Sequence, residues 1–318
     1  MKRKLSLLSV LLLMMVPVLT ACGSGTDKDG LFVTIAAGGQ SGVYYPLGGA
    51  LGKIYEKELK AKSTVQATGA SVENINLLDK NRAELAIIMG DAATQAREGT
   101  KPFDKKITSF KAVASLYPNF VQIVTTDKAK IEKVEDLKGK RVGVGAPGSG
   151  VELNAQAILE AHDMSYDDFK EDFLSYSEAI DGIKNGTVDA AFVTSGLPNP
   201  SVTDLETTEK VKVIPIEGKG MKKLKELYPY YSENVIPKGT YGNDKDIKTA
   251  SIMNLLVVND KLDDETVYKL TKTMFENIDS VQKSHNAAKE ITLETAKDNV
   301  PIPFHPGAEK YYKEADTQ

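Results

Sequence analysis

Tryptophan is absent from this sequence of 318 residues, and the single cysteine, Cys22, excludes any disulfide bond within the chain. Histidine is nearly as rare: His162, His285 and His305 are the whole set, and no two of them stand at the spacing of metal ligands. The sequence therefore predicts neither a disulfide-stabilised fold nor a metal centre, and we expect no cofactor.

Positive charge is in slight deficit, with 40 Lys and Arg against 44 Asp and Glu. Three of these positive charges belong to residues 2–4, and no extended basic run follows them. Nucleic acid is therefore not an expected partner. Beyond that segment the only arginines are Arg82, Arg97 and Arg141, which gives no obvious bidentate clamp for a carboxylate. No Gly-x-Ser-x-Gly motif or Ser/His/Asp grouping indicates a hydrolase, so we do not expect an enzyme.

The first 22 residues carry the most specific signal in the chain. Basic residues 2–4 precede a mostly apolar stretch, Leu5–Leu19, which is shorter than the roughly 20 residues of a membrane-spanning helix. This pattern predicts a secretory signal peptide over residues 1–21. The run from Leu19 to Cys22 resembles a bacterial lipobox, in which the cysteine carries a lipid after cleavage. An ordinary signal peptide followed by an incidental cysteine is the alternative.

Residues 22–30 are small, polar and without periodicity, which is typical of a flexible tether. We therefore expect an extracytoplasmic protein that is anchored to the cell membrane through lipid at Cys22.

Past the tether, short β-branched runs alternate with helical patterns, which predicts an α/β fold with mostly parallel strands. A faint internal repeat accompanies this alternation: residues 32–43 and residues 141–151 each read as a strand, a glycine-containing loop and the start of a helix. A second pair follows in the same order, since residues 71–88 and residues 177–193 each read as a helix, an Asn-containing turn and a strand. The two pairs predict two similar lobes.

The C-terminal part does not repeat this pattern. Asp264–Asn277 reads as an amphipathic helix, whose apolar face we expect to return to the first lobe. The predicted division is therefore residues 31–117 plus 250–318 for lobe I and residues 118–249 for lobe II. Two lobes joined by two crossovers form a hinged clamshell.

The chain resembles the TAXI-type solute-binding subunits of tripartite ATP-independent periplasmic (TRAP) transporters. The resemblance covers most of the chain after the tether and is carried by five stretches: Ala37–Gly49, Ala67–Asn74, Asp136–Gly150, Ile236–Tyr241 and Phe304–Tyr312. It implies a two-lobe fold of the periplasmic-binding-protein type II kind with two crossover strands, no catalysis, and delivery of a solute to a TRAP-type membrane permease. It also implies a small carboxylate-bearing solute, with amino acids of the glutamate type included. A sensing or adhesive surface lipoprotein and an ABC-type substrate-binding subunit are the alternatives.

The first candidate for ligand binding is the loop at residues 38–42. Glycines such as Gly39 let the backbone approach a ligand, the following helix offers free N–H groups, and Ser41 adds a hydroxyl. Tyr44 and Tyr45 supply rings with polar tips. The alternative is a tight turn and helix cap, with both tyrosines in the core.

The matching loop of the second lobe contains Gly148 and Ser149. Here Ser149 and Glu152 also fit a capping box, in which each side chain satisfies the helix end. We weigh ligand binding and capping equally at this loop.

Further candidates follow predicted strands and helix starts, where open α/β sheets bind ligands. Ser71 starts a helix, Asp91 is positioned to accept a ligand amine, and Thr194 and Ser195 are positioned to donate to a carboxylate. Capping is the alternative for Ser71 and Asp91.

Two residues complete the set of candidates. Tyr117 ends a predicted crossover strand, and Lys238 offers a positive charge near the hinge or else faces solvent. His305 precedes Pro306 and Gly307 and reads as a structural hydrogen-bonding residue rather than a site residue.

Overall fold

The computed structural model describes residues 30–317. The predicted signal peptide, the lipobox cysteine Cys22 and most of the predicted tether lie outside these residues. Within them, ten strands form one continuous sheet: β1 (Phe32–Ala36), β2 (Lys62–Gln66), β3 (Leu85–Met89), β4 (Phe110–Thr126), β5 (Arg141–Gly143), β6 (Lys170–Asp172), β7 (Ala190–Ser195), β8 (Val211–Ile214), β9 (Ser232–Ile236) and β10 (Ile247–Asn259).

Ten α-helices cover the sheet formed by these described residues. They are α1 (Tyr44–Leu59), α2 (Ser71–Asp79), α3 (Gly90–Glu98), α4 (Gly150–Ala161), α5 (Tyr176–Asn185), α6 (Pro200–Glu206), α7 (Gly218–Leu227), α8 (Asp264–Glu276), α9 (Ile278–Gln282) and α10 (Pro306–Ala315). Among residues 30–317, no helix is both long and apolar enough to cross a membrane.

The strand order is β2-β1-β3-β10-β4-β7-β5-β6, with β8 also beside β4 and β9 beside β10. Strands β1, β2 and β3 are parallel to one another, and so are β5, β6 and β7. The two long strands β4 and β10 run antiparallel to each other through the middle of the sheet. Each half of the sheet is therefore a parallel unit, and β4 and β10 are the two crossover strands of a two-lobe α/β fold.

The crossover occurs where the long strands change partners. Strand β10 pairs with β9 up to Ser251 and with β3 from Asn254 onward. Strand β4 pairs with β7 from Phe120 onward. The boundaries at residues 117/118 and 249/250 stay a proposal, which these changes of partner support.

The apolar runs Ala112–Leu116 and Val121–Thr125 each read as a strand in the sequence, but they do not form two separate strands. The structure has one strand that runs through Pro118. Proline lacks an N–H donor and is tolerated in a sheet at a bulge. Pro118 faces Met253, beside an irregularity in the pairing of β10 with β4.

The C-terminal helices pack on the first lobe. Leu270 of α8 and Tyr312 of α10 share one buried apolar cluster with Leu47 of α1 and Leu256 of β10. The Tyr312 hydroxyl donates to the Val113 carbonyl at 2.7 Å. The apolar face read from the sequence therefore covers the sheet.

His305 is structural, as predicted. Its side chain caps α10 by accepting from the Gly307 N–H at 3.2 Å.

Candidate functional site

A cleft lies between the two lobes, above the crossover strands. Its enclosed space is about 90 Å³, and its lining comes from both lobes and from the sheet: Gly38, Gly39, Ser41, Gly42, Val43, Tyr44, Thr68, Gly69, Ala70, Met89, Tyr117, Asn119, Ala146, Ser149, Val151, Leu174, Ser175, Tyr176, Thr194 and Ser195. None of these side chains carries a charge at neutral pH. A ligand there meets hydroxyls, one amide, backbone groups and apolar surface.

The first lobe points the N-termini of two helices at the cleft. Helix α1 follows Val43 and helix α2 follows Ala70, and neither of these cap residues bonds the helix end through its side chain. Ala70 adopts φ 76°, and the hydroxyl of Thr68 accepts its N–H at 3.0 Å. At α2, however, the Glu73 carboxylate accepts from the Gly69 N–H at 2.6 Å and so already stands at the positive end of that helix. Helix α1 has no acidic residue in its first turn, so its first N–H groups remain available and its dipole favours an anion at this place.

The second lobe treats its helix ends differently. Ser149 caps α4 by accepting from the Glu152 N–H at 3.1 Å, and the Glu152 carboxylate accepts from the Gly148 N–H at 2.8 Å. Ser175 and Glu178 form a capping box at the start of α5. These carboxylates already occupy the positive ends of both helices, so an anion is held better at α1 than at either helix of the second lobe.

The floor of the cleft is a buried polar network on the crossover strands. The Tyr44 hydroxyl donates to Oδ1 of Asn254, and Nδ2 of Asn254 donates to the Tyr117 carbonyl at 2.8 Å. Nδ2 of Asn119 reaches the Tyr44 oxygen at 3.5 Å. Helix α1 is thereby fixed to both crossover strands directly beneath the site.

Three buried polar atoms of the floor have no partner in the described structure: the hydroxyl of Tyr117, Oδ1 of Asn119 and Oγ1 of Thr194. All three residues line the cleft and are at most 2% exposed. Buried polar atoms are normally hydrogen-bonded, and leaving one unpaired costs about 1–3 kcal/mol. These atoms are therefore the strongest candidates for contact with a bound molecule.

Tyr176 closes the cleft from the second lobe, and the sequence analysis missed it. Its hydroxyl donates to the Thr194 carbonyl at 2.6 Å, and a Cβ added at Gly42 of the first lobe would lie 3.5 Å from its ring. The sequence did offer one signal, since Tyr176 stands directly after Ser175 at a helix start, as Tyr44 stands at the start of α1. Burial raises the pKa of the Tyr44, Tyr117 and Tyr176 hydroxyls, so all three remain protonated donors.

The two lobes touch around the cleft, which is the closed form of a clamshell. A Cβ added at Gly150 of α4 would clash with Cε of Met89 and would lie 2.8 Å from Oγ of Ser71, both in the first lobe. One added at Gly69 would lie 3.3 Å from the Pro147 carbonyl oxygen. Glycine at these positions permits the close approach of the lobes.

Seven predicted site residues line this cleft: Gly39, Ser41, Tyr44, Tyr117, Ser149, Thr194 and Ser195. Five others are not in its lining. Tyr45 packs half-buried against the first-lobe core, and Lys238 lies exposed in the turn after β9. Gly148 adopts φ 66° and donates its N–H to Glu152.

Ser71 and Asp91 lie behind the cleft wall rather than in it. The Ser71 hydroxyl accepts from the Met89 N–H at 3.1 Å. The buried Asp91 carboxylate accepts from Nδ2 of Asn154 and from the Tyr231 hydroxyl, at 2.5 and 3.3 Å. Burial raises the pKa of Asp91 to about 6, although these bonds lower it. Both side chains are therefore occupied inside the protein and are not presented to a ligand.

Within residues 30–317, no group of three or more His, Cys, Asp or Glu side chains lies close enough to hold a metal ion.

A protein-family model described as the NMT1-like family matches residues 35–315 of this chain. This description does not include the TAXI subtype, which remains a proposal from the sequence resemblance.

Several solved structures share the fold. A protein from Bordetella bronchiseptica RB50 matches with a TM-score of 0.56 at 17% identity, over 90% of this chain and 89% of that one. PhnD1 from Prochlorococcus marinus (MIT 9301), solved with methylphosphonate, matches with a TM-score of 0.56 at 11% identity, over 90% and 99%. A putative L-cystine ABC transporter protein from Listeria monocytogenes matches with a TM-score of 0.51 at 14% identity, over 84% and 98%. The predicted fold class, an α/β type II-like two-lobe fold, is confirmed.

Proposed function

The chain belongs to the NMT1-like family, and from this premise we propose that it is a solute-binding protein. It captures a small carboxylate-bearing solute between its lobes and delivers it to a membrane permease. The observation that carries the proposal is the uncapped N-terminus of α1, which faces a closed cleft whose lining holds no charged side chain.

The first lobe performs the initial capture. Free N–H groups at the start of α1 bind the carboxylate, and the hydroxyl of Ser41 stands in the same lining. Charge-assisted bonds of this kind contribute roughly 1.5–3 kcal/mol each.

Closure of the second lobe then removes the solute from water. Tyr176 covers Gly42, and the start of α4 meets Met89. The unpaired hydroxyls of Tyr117 and Thr194 gain partners only when a solute is present, so bound solute stabilises the closed form.

Two observations bear on the type of permease, and they favour different types. The sequence resemblance to TAXI-type subunits favours a TRAP-type permease, which we propose. The Listeria monocytogenes protein with the same fold is described as part of an ABC transporter, so an ABC-type permease is the second candidate. Loss of uptake on deletion of a TRAP permease, but not of an ABC permease, supports the first.

We further propose that the protein works outside the cytoplasmic membrane and is anchored by lipid at Cys22, as the lipobox-like run indicates. Cys22→Ala should move the protein from the membrane fraction to the soluble fraction. A mutant that stays with the membrane contradicts the anchor.

The experiment that tests the function is a thermal-shift screen of small carboxylates and amino acids, followed by recovery of the solute. A solute at about 100 times its dissociation constant stabilises the native state by about 2.7 kcal/mol. The solute should be recovered unchanged, whereas a converted solute indicates an enzyme. A surface sensor binds in the same way, but its deletion leaves uptake intact.

A further inference from the structure

The hydrogen-bond network under the cleft has a fixed polarity. The Tyr117 carbonyl can only accept, so Asn254 must point Nδ2 toward it and Oδ1 toward Tyr44. The Tyr44 hydroxyl must then donate to Asn254, which leaves its oxygen as an acceptor. Asn119 meets that oxygen with Nδ2. The orientation of the Asn119 amide thus follows from a backbone carbonyl two residues before it.

Oδ1 of Asn119 is therefore an acceptor without a partner in the described structure, on a side chain that is 2% exposed and lines the cleft. A carboxylate cannot satisfy it, because a carboxylate only accepts. An N–H group can. The unpaired hydroxyls of Tyr117 and Thr194, which also belong to the lining, are able to donate or accept, so they do not impose this demand.

The cleft also disfavours a second negative charge. Among the described residues, the lining of the cleft contains no Asp, Glu, Lys or Arg side chain. A second carboxylate would therefore find no cationic side chain in the lining. Asp91, the residue that the sequence offered for a ligand amine, is bonded to Asn154 and Tyr231 instead. An amine in the cleft accordingly meets the neutral oxygen of Asn119.

We propose that Asn119 is a specificity-determining residue, which selects solutes that carry an N–H donor besides a single carboxylate. This inference rests on the proposed function and narrows its solute class to amino acids of zero net charge. Dicarboxylates and simple monocarboxylates are the rejected classes.

Matched pairs of solutes test the proposal by calorimetry on the purified protein. L-alanine, L-valine and L-leucine are each compared with the acid that lacks only the α-amino group: propionate, 3-methylbutanoate and 4-methylpentanoate. At least one amino acid should bind, at least about tenfold more tightly than its partner acid, because loss of the donor leaves Asn119 unpaired. Succinate should bind no better than propionate.

Two substitutions at Asn119 should change this ratio in opposite directions. Asn119→Ala removes the acceptor, so affinity for the amino acid falls about tenfold or more while affinity for the partner acid changes little. Asn119→Asp keeps an acceptor and adds negative charge, so the ratio widens even though the bond to Tyr44 is lost. If Asn119 has only a structural role, its substitution lowers the affinity for both solutes of a pair by the same factor.

Asn259→Ala is the matched control. Asn259 is also a buried asparagine on a crossover strand, but it is the last residue of β10. Its Nδ2 donates to the Leu78 carbonyl, and its Oδ1 accepts from the Lys261 N–H. This variant should be less stable and should keep the native affinity ratio.

Equal binding of an amino acid and its partner acid overturns the selectivity, as does a panel in which only dicarboxylates bind. If either result is found and the Gly39→Val variant no longer binds the solutes, the cleft is still the binding site of the native protein. Only the proposed role of Asn119 is then wrong. If every solute binds equally well to Gly39→Val, the cleft is not the site and the proposed function itself fails.

Discussion

The hydroxyl of Tyr44 donates a hydrogen bond to Oδ1 of Asn254, 210 positions later in the chain. Tyr44 is the first residue of α1, whose free N–H groups face the cleft, and Asn254 lies on crossover strand β10. The start of α1, which is proposed to hold the solute carboxylate, is thus bonded to β10, one of the two strands that connect the lobes. A buried hydrogen bond therefore joins the proposed binding site to a strand that connects the two lobes.

Gly39→Val should abolish solute binding and leave the fold intact. A Cβ added at Gly39 meets no heavy atom within 4 Å, and the residue lines the cleft, so a branched side chain takes up ligand space without internal strain. Calorimetry and thermal melting together check this. An unchanged affinity removes the loop from the site, and a large drop in melting temperature invalidates the test.

Ser149→Ala should lower stability and leave affinity within about twofold of native. Ser149 caps α4, and loss of such a cap costs about 1 kcal/mol, or a few degrees of melting temperature in a protein of this size. Ser41→Ala is the opposite case, since Ser41 caps no helix and should lose about tenfold in affinity at nearly constant stability. A tenfold loss of affinity in Ser149→Ala contradicts the assignment of Ser149 as a cap.

Gly150→Ala should hold the lobes apart. The new Cβ would lie 2.8 Å from the Ser71 hydroxyl, which cannot retreat easily because it accepts the Met89 N–H. We expect an affinity at least about tenfold lower and a radius of gyration that no longer falls when solute is added, as measured by small-angle X-ray scattering.

Gly49→Ala in α1 is the control for that experiment. No heavy atom lies within 4 Å of the added Cβ, so the helix gains roughly 0.5–1 kcal/mol and the affinity stays native. If Gly150→Ala still closes on its solute, the contact with Met89 and Ser71 does not define the closed form.

The stability of the protein should also be linked to pH through Asp91. Burial raises the pKa of this carboxyl to about 6, above the value near 3.9 of an unfolded chain. The folded protein therefore holds this proton more tightly. The associated stabilisation is complete below about pH 4 and is lost as the pH rises through 6, by an order of about 3 kcal/mol.

Asp91→Asn removes this titration, because the new amide fills the same space and has no proton to lose in this range. The difference in melting temperature between the mutant and the native protein should grow in favour of the mutant from pH 5 to pH 8. Tyr44, Tyr230 and Tyr231 also interact with the native carboxylate, but their raised pKa values place their own titration above this range. Parallel melting curves across this range contradict the assignment.

Much of the fold was predictable because it is local. The two strand–loop–helix units at residues 32–43 and 141–151 became β1–α1 and β5–α4, one in each lobe. The cap at Ser149 was predictable for the same reason, since spacing alone defines a capping motif.

The interior of the site was less predictable, because it depends on contacts that sequence spacing does not encode. Asn119 is presented to the cleft by strand pairing, and Tyr176 is presented to it by packing between the lobes. Ser71 and Asp91 are polar residues at helix starts, where the sequence predicts contact with a ligand. In the folded protein both side chains form internal hydrogen bonds instead. Only tertiary structure decides which of two similar hydroxyls or carboxylates faces a ligand.

The position of a bound solute tests the proposed function most directly. A crystal structure of the protein with the solute that gives the largest thermal shift measures this position. We expect the carboxylate to lie against the N-terminus of α1, the floor residues Tyr117 and Asn119 to contact the solute, and Tyr176 to cover it. A solute bound on the other face of the crossover strands, beside Pro118 and Tyr230, or one bound in the cleft without contact to the start of α1, would contradict the proposed function.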